Sequence, residues 1–156
     1  MKKKLTWVVF LMFAAVLFLS SCGSEPVEKK TETAGGLSFD ISELSEEPSF
    51  IDWNQDGTAM QLIALKAGDE VRLAFNTCQS CQGSPWAWFE YLDNGMLQCH
   101  NCGQVFGLET VGTPAASGCN PITITEFTVD GSTVTVSESF LKEHVELFEN
   151  WKWGES

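Results

Sequence analysis

Two short strings carry the chemistry of this chain. They are Cys78-Gln79-Ser80-Cys81 and Cys99-His100-Asn101-Cys102, with seventeen residues between them. A turn with cysteines at i and i+3 aims both sulfurs at one point, and two such turns facing each other build a cage of four thiolates. That donor set suits zinc, a single iron or an iron–sulfur cluster. Gly103 follows the second pair and Gly83 lies just past the first. Both permit the left-handed backbone that turns amide N–H groups back toward negatively charged sulfur. A fifth cysteine, Cys119, leads into Asn120-Pro121. It either joins the ligand set, serves as a redox partner or is a small core residue. Two metal-free alternatives remain open: disulfides, and thiol–disulfide oxidoreductase chemistry. The second is weaker, because a reactive Cys-x-x-Cys pair opens a helix whose N-terminus lowers the leading thiol's pKa. Here Gln82-Gly83-Ser84-Pro85 follows Cys81 and breaks any such helix. No catalytic residues are assigned, and the pattern favours a binding or electron-transfer protein over an enzyme.

The surroundings of the pairs are distinctive. Trp86, Trp88, Phe89 and Tyr91 fall between them and are expected to wall the site off from water, with a docking face as the sharper alternative. His100 is expected to point outward from its turn rather than to bind metal. Between Asn76 and Pro121 there is no Lys or Arg, whereas Glu90, Asp93 and Glu109 are present. With no basic side chain nearby in sequence to offset thiolate charge, a redox-active iron there would favour its oxidised state and a low potential.

The elements that must position these cysteines read mainly as strands. Leu37 to Phe50 suggests a short strand or edge segment. Ile51 and Trp53 approach Asp56-Gly57, a strong hairpin signal, and Met60 to Lys66 leave it. Ala67-Gly68-Asp69-Glu70 is a second turn, followed by alternating Val71, Leu73 and Phe75. The stretch from Asn76 to Pro121 reads as loop-rich. Ile122, Ile124, Phe127 and Val129 then approach a third turn at Asp130-Gly131, and Val134 and Val136 leave it. Ser137 or Ser139 caps a last helix whose Phe140, Leu141, His144, Val145, Phe148 and Trp151 share one stripe. His144 on that stripe is expected to be packed and satisfied, and Trp151 to pack on the sheet rather than reach, with Trp153, a membrane interface. The expected fold is a small antiparallel β domain, mainly β within the α+β class, with a loop-borne four-cysteine metal site and one C-terminal helix.

The chain begins with Lys2-Lys3-Lys4, an apolar run from Leu5 to Leu19, and Leu19-Ser20-Ser21-Cys22. That is the layout of a secretory signal, and its apolar run falls short of the roughly 20 residues that a membrane span needs. Leu-Ser-Ser-Cys resembles the bacterial lipobox, so residues 1–21 are expected to be a signal peptide and Cys22 the lipidated first residue. Residues 22–36 are polar and read as a flexible tether, and 37–156 as one cysteine-rich metal-binding domain. The expected location is the cell membrane, lipid-anchored on the extracytoplasmic face. Cleavage removes three lysines and no acid, taking the formal charge from −12 to −15. Such acidity excludes nucleic acid as a partner.

Several strings together resemble the FtrD-like membrane iron–sulfur protein family, and in particular its lipoprotein members. They are Ala74 to Cys81, Leu97 to Phe106, and Gly118-Cys119-Asn120-Pro121-Ile122, with support upstream from Ile41 to Phe75. The resemblance implies iron–sulfur binding and an association with ferrous-iron uptake or membrane electron transfer, hence a membrane redox or iron-transport protein as partner. It marks Cys78, Cys81, Cys99 and Cys102 as ligands, with Cys119 as an accessory. The chain departs from the pattern in two places. The run Trp86 to Tyr91 replaces a Gly-Tyr element, and Ser117 stands where a second glycine precedes Gly118-Cys119. The expected cofactor is an iron–sulfur cluster or a single iron or zinc ion. The alternative is a zinc-stabilised interaction module, with an extracytoplasmic oxidoreductase third.

Overall fold

Asp56 and Gly57 sit at φ 52° and 95°, the pair of positive angles that a two-residue primed hairpin turn requires. The Asn54 carboxamide oxygen accepts the Gly57 N–H at 2.9 Å and closes the turn. This hairpin and the one at Gly68-Asp69 organise the centre of the computed structural model, which describes Thr31–Thr33 and residues 35–114 and 118–152. The expected signal peptide, Cys22, most of the expected tether, Ser117 and Trp153 lie outside the described residues.

In chain order the strands are β1 (Thr31–Thr33), β2 (Gly36–Asp40), β3 (Ser49–Gln55), β4 (Thr58–Ala67), β5 (Glu70–Cys78), β6 (Phe89–Tyr91), β7 (Met96–Cys99), β8 (Val105–Gly107), β9 (Pro121–Thr123), β10 (Thr128–Asp130) and β11 (Thr133–Ser137), followed by helix α1 (Glu138–Glu143). They form three sheets, ordered β1-β2-β11-β10, β3-β4-β5-β9 and β6-β7-β8. Every pairing among them is antiparallel.

Strand alternation explains the layering. Along β4 and β5, Met60, Leu62, Ala64, Leu73 and Phe75 face a core completed by Leu37, Val134, Val136, Phe140, Leu141 and Phe148. Ile63, Leu65, Ala74 and Cys78 face a second core with Ala87, Phe89, Leu97, Cys99 and Val111. The central strands are thus buried on both faces, and two cysteines belong to the second core.

The mainly antiparallel β architecture with one helix is as expected, and four local differences have physical causes. Thr31–Thr33, read as the end of a tether, pairs with β2, since an edge ladder uses backbone groups and asks for no apolar side chain. Ile122 does not lead into the third hairpin. Its strand, β9, lies on the edge of the central sheet against β5, where Pro121 lacks an N–H to donate. The helical stripe is divided. Ser137 caps α1 by accepting the Phe140 N–H, but the chain leaves the α conformation at His144 and continues as a 3-10 turn from Val145 to Phe148. Finally, the loop-rich stretch holds a sheet of its own, β6-β7-β8. His144 is packed as expected, its Nδ1 2.8 Å from the Phe140 carbonyl oxygen and its ring against Phe75 and Phe140.

Candidate metal centre

Each cysteine pair grows from the end of a strand. Cys78 closes β5 and Cys99 closes β7. After Cys78 the chain turns at once, with the Cys81 N–H on the Cys78 carbonyl at 3.2 Å and the Ser84 N–H on the Cys81 carbonyl at 3.0 Å. After Cys99 the Gly103 N–H returns to the Cys99 carbonyl at 2.8 Å, and the Cys99 N–H donates to the Gln104 carbonyl at 2.9 Å. Gly83 and Gly103 have φ 88° and 69°, the conformation their residue type was expected to supply.

Three ties bring the turns together. The Cys78 N–H donates to the Ala87 carbonyl at 2.9 Å, and the His100 N–H to the Trp88 carbonyl at 2.8 Å, so one aromatic segment braces both. The Ser84 hydroxyl donates directly to the Asn101 carboxamide oxygen at 2.7 Å. The Cys119 segment is fastened to the first turn: the Gln79 N–H reaches the Asn120 carbonyl at 2.9 Å, and the Ser80 hydroxyl reaches the Gly118 carbonyl at 2.8 Å.

The result is a cluster of five sulfurs. Cys78, Cys81 and Cys119 form one triad and Cys81, Cys99 and Cys102 another, the sulfurs of each lying within 4.8 Å of one another. Cys81 belongs to both. For comparison, a tetrahedral Zn–S bond of about 2.3 Å separates neighbouring sulfurs by about 3.8 Å. The donor set is sulfur throughout, which fits soft metal ions and iron–sulfur clusters. Cys119, whose role the sequence left open, stands among the other four.

Burial grades the cluster from inside to outside. Cys78 and Cys99 are fully buried, Cys81 and Cys119 partly so, and Cys102 is exposed. Desolvation pushes the Cys78 thiol well above the ordinary thiol range, and it raises Cys99 to about 11. For Cys102 desolvation is the largest single influence and raises the pKa, but hydrogen bonds from the Gln104 backbone and from the Cys119, Cys99 and Cys81 thiols together outweigh it and bring the pKa down. Cys119 is shifted upward, first by its hydrogen bond to Cys102 and then by desolvation.

The aromatic residues between the pairs divide. Phe89 is buried in the second core, with Tyr91 packed against it. Trp88 stacks on His100 with ring centroids 3.8 Å apart, and Trp86 lies 6.4 Å from His100 on the solvent side. His100 is exposed, with its Nε2 3.8 Å from the Glu90 carboxylate. Trp88 also carries Lys152, whose Nζ lies 4.6 Å from that ring and 4.6 Å from the Trp151 ring.

Two residues here escaped the sequence reading. Asn76 is fully buried and clips β5 to β6: its amide donates to the Gln61 side chain at 2.7 Å and to the Phe89 carbonyl at 3.2 Å, while its oxygen accepts the Phe89 N–H at 2.7 Å. The other is Lys152, which brings a cation to a segment with no basic residue of its own and donates its N–H to the Pro85 carbonyl at 2.9 Å. Gln61, Phe89, Pro85 and Trp88, which they hold, are 13 to 67 positions away from them, so no local string announces either role.

Residues 44–148 match the family model described as "Membrane iron-sulfur containing protein FtrD-like". No curated protein matches the chain. Among solved structures, the ferredoxin of carbazole 1,9a-dioxygenase from Nocardioides aromaticivorans IC177 is similar at 23% identity and a TM-score of 0.40, over 67% of this chain and 97% of that one. Among the described residues no helix is long and apolar enough to cross a membrane.

Proposed function

Since the chain belongs to the FtrD-like membrane iron–sulfur family, we propose that it is a membrane-anchored protein that holds an iron–sulfur centre on its clustered cysteines and passes electrons, or handles iron, for a membrane partner. The observation that carries this reading is the convergence of five sulfurs from three separate segments into two triads sharing Cys81. Cys78, Cys81, Cys99 and Cys102 are the proposed ligands, with Cys119 available as a fifth. Such a centre supplies one-electron chemistry. This chain's part is to hold the sulfurs, keep water from the inner ones and present the outer edge. The lysine head, apolar run and Leu-Ser-Ser-Cys string support an anchor at Cys22 on the extracytoplasmic face.

The test is anaerobic purification of the full-length protein with metal and sulfide analysis and visible spectroscopy. The reading expects brown protein containing iron and acid-labile sulfide, with bands that bleach on reduction. Colourless protein with stoichiometric zinc overturns it in favour of a structural metal. Metal-free protein with paired thiols returns the oxidoreductase alternative. Labelling with a radioactive fatty acid, lost in Cys22→Ala, tests the anchor.

A further inference from the structure

The outer edge of the cysteine cluster differs from the rest of the molecule. The chain has 21 acidic residues and a formal charge of −12, yet from Cys78 to Phe89 it has no charged residue at all, and from Cys99 to Leu108 His100 is the only titratable side chain besides the cysteines. Folding sets these two stretches side by side. Ser84 bonds Asn101, and the Trp86 ring lies 6.4 Å from that of His100. The exposed residues that flank Cys102 in its own turn, His100, Asn101, Gly103 and Gln104, include no carboxylate, amine or guanidinium. Two of the three exposed large apolar side chains among the described residues, Trp86 at 45% and Val105 at 42%, belong to these stretches. The acid nearest His100 is Glu90, at 3.8 Å.

We propose that this rim, free of carboxylates and with Lys152 held against the Trp88 ring, is the docking face for a one-electron carrier protein whose own face has an apolar centre and a basic margin. The inference deepens the electron-transfer reading above and depends on it. The rim is where the cluster opens outward, through exposed Cys102. Amides and an indole shed water at less cost than carboxylates do, which suits an interface made and broken at every turnover. A solvent-exposed Trp is a typical anchor of such contacts. The strongly acidic body, beginning at Glu90, draws a basic margin and steers encounter. The rim residues hold the two proteins in contact while one electron passes from the reduced protein to the oxidised carrier. No bond is made or broken and no proton moves.

The experiment follows reduction of an oxidised basic c-type cytochrome by the reduced, metal-loaded full-length protein in a stopped-flow instrument. Wild type is compared with Trp86→Ala, Val105→Lys and Val129→Ala, the last altering the third exposed apolar residue, at 50% exposure on β10. The expected result is a second-order rate lower by about ten-fold in Trp86→Ala and Val105→Lys, unchanged in Val129→Ala, with visible spectrum and midpoint potential the same in all four. Equal rates throughout, or an equal fall in Val129→Ala, overturn the docking face and leave the electron-transfer reading standing. A shifted spectrum or potential in both rim variants also overturns it, assigning the rim to the centre's own environment. Wild-type protein that is colourless and cannot be reduced removes the electron-transfer reading itself, before any variant is compared.

Discussion

Cys81 occupies the junction of the sulfur cluster, and its two triads make different demands on it. Removing Cys119 opens only the triad with Cys78, whereas removing Cys81 opens both. Cys81→Ser should therefore lose most of its bound metal, and Cys119→Ser should retain a larger share, measured as the metal-to-protein ratio after gel filtration. Equal losses would deny Cys81 its special standing. The same scale shows why a sequence-local view of charge was incomplete. The absence of Lys and Arg between Asn76 and Pro121 suggested an unrelieved negative field. In the fold, Lys152 lies on the Trp88 ring, brought by a chain segment outside the stretch considered.

Elements that never touch a sulfur hold the frame. Gly36 opens β2 at φ 129°, and a Cβ there would collide with the Val136 carbonyl oxygen and lie 2.7 Å from the Glu138 nitrogen. Gly36→Ala should cost about 3 kcal/mol in urea unfolding, since both obstacles are backbone and cannot yield. A loss below about 0.5 kcal/mol would mean that β2 and β11 adjust freely. Asp40 ends the same strand. Its carboxylate accepts the Ser42 N–H and the Ser132 hydroxyl, and bonds from Ser42 first and then Ser132 depress its pKa below 3.8. A depressed carboxylate stabilises the fold above its unfolded pKa and loses that effect as pH falls through the folded one. The stability advantage of wild type over Asp40→Asn should hold from neutral pH to about 5 and shrink below the ordinary carboxylate value, as read from thermal melts across pH. An advantage that grew on acidification would reverse the sign.

Turn chemistry made the hairpins at Asp56-Gly57 and Gly68-Asp69 legible, because two residues decide each of them. The cysteine spacing made the metal turns legible for the same reason. Less could be read where long-range partners decide. Short β6, β7 and β8 show little alternation of their own and become strands through pairing with one another. β9 looked continuous with a later hairpin until its pairing with β5 took precedence. Cys119 was ambiguous because its neighbours in space, Cys78 and Cys81, are about 40 residues earlier.

Across the whole molecule, β4 and β5 form a wall between two interiors. One is an ordinary apolar core around Phe75, and the other includes Cys78 and Cys99. Phe75 packs at 6.0 Å from Phe140 and 5.7 Å from Phe148, so the first interior has strong support of its own. The second depends in part on what its sulfurs hold. Stripping metal under reducing conditions should lower amide protection most in Phe89–Tyr91 and Met96–Cys99, while Leu62 to Leu65 exchange slowly as before. Hydrogen exchange with mass spectrometry reads both regions in one sample, and uniform loss across them would show a single cooperative unit.

The Trp151 indole donates to the Asn76 carbonyl at 2.7 Å, and the next residue's amide holds Pro85. A ribosome delivers these two residues 32 and 33 positions after Cys119, the last of the clustered cysteines. The brace behind Trp88 therefore cannot close when only the cysteines have been made, and metal should load efficiently only onto chains that have reached Lys152. Chains ending at Glu149 should take up iron more slowly than full-length chains in a cell-free synthesis supplied with iron and sulfide. Equal uptake would show that the tail arrives after the fact.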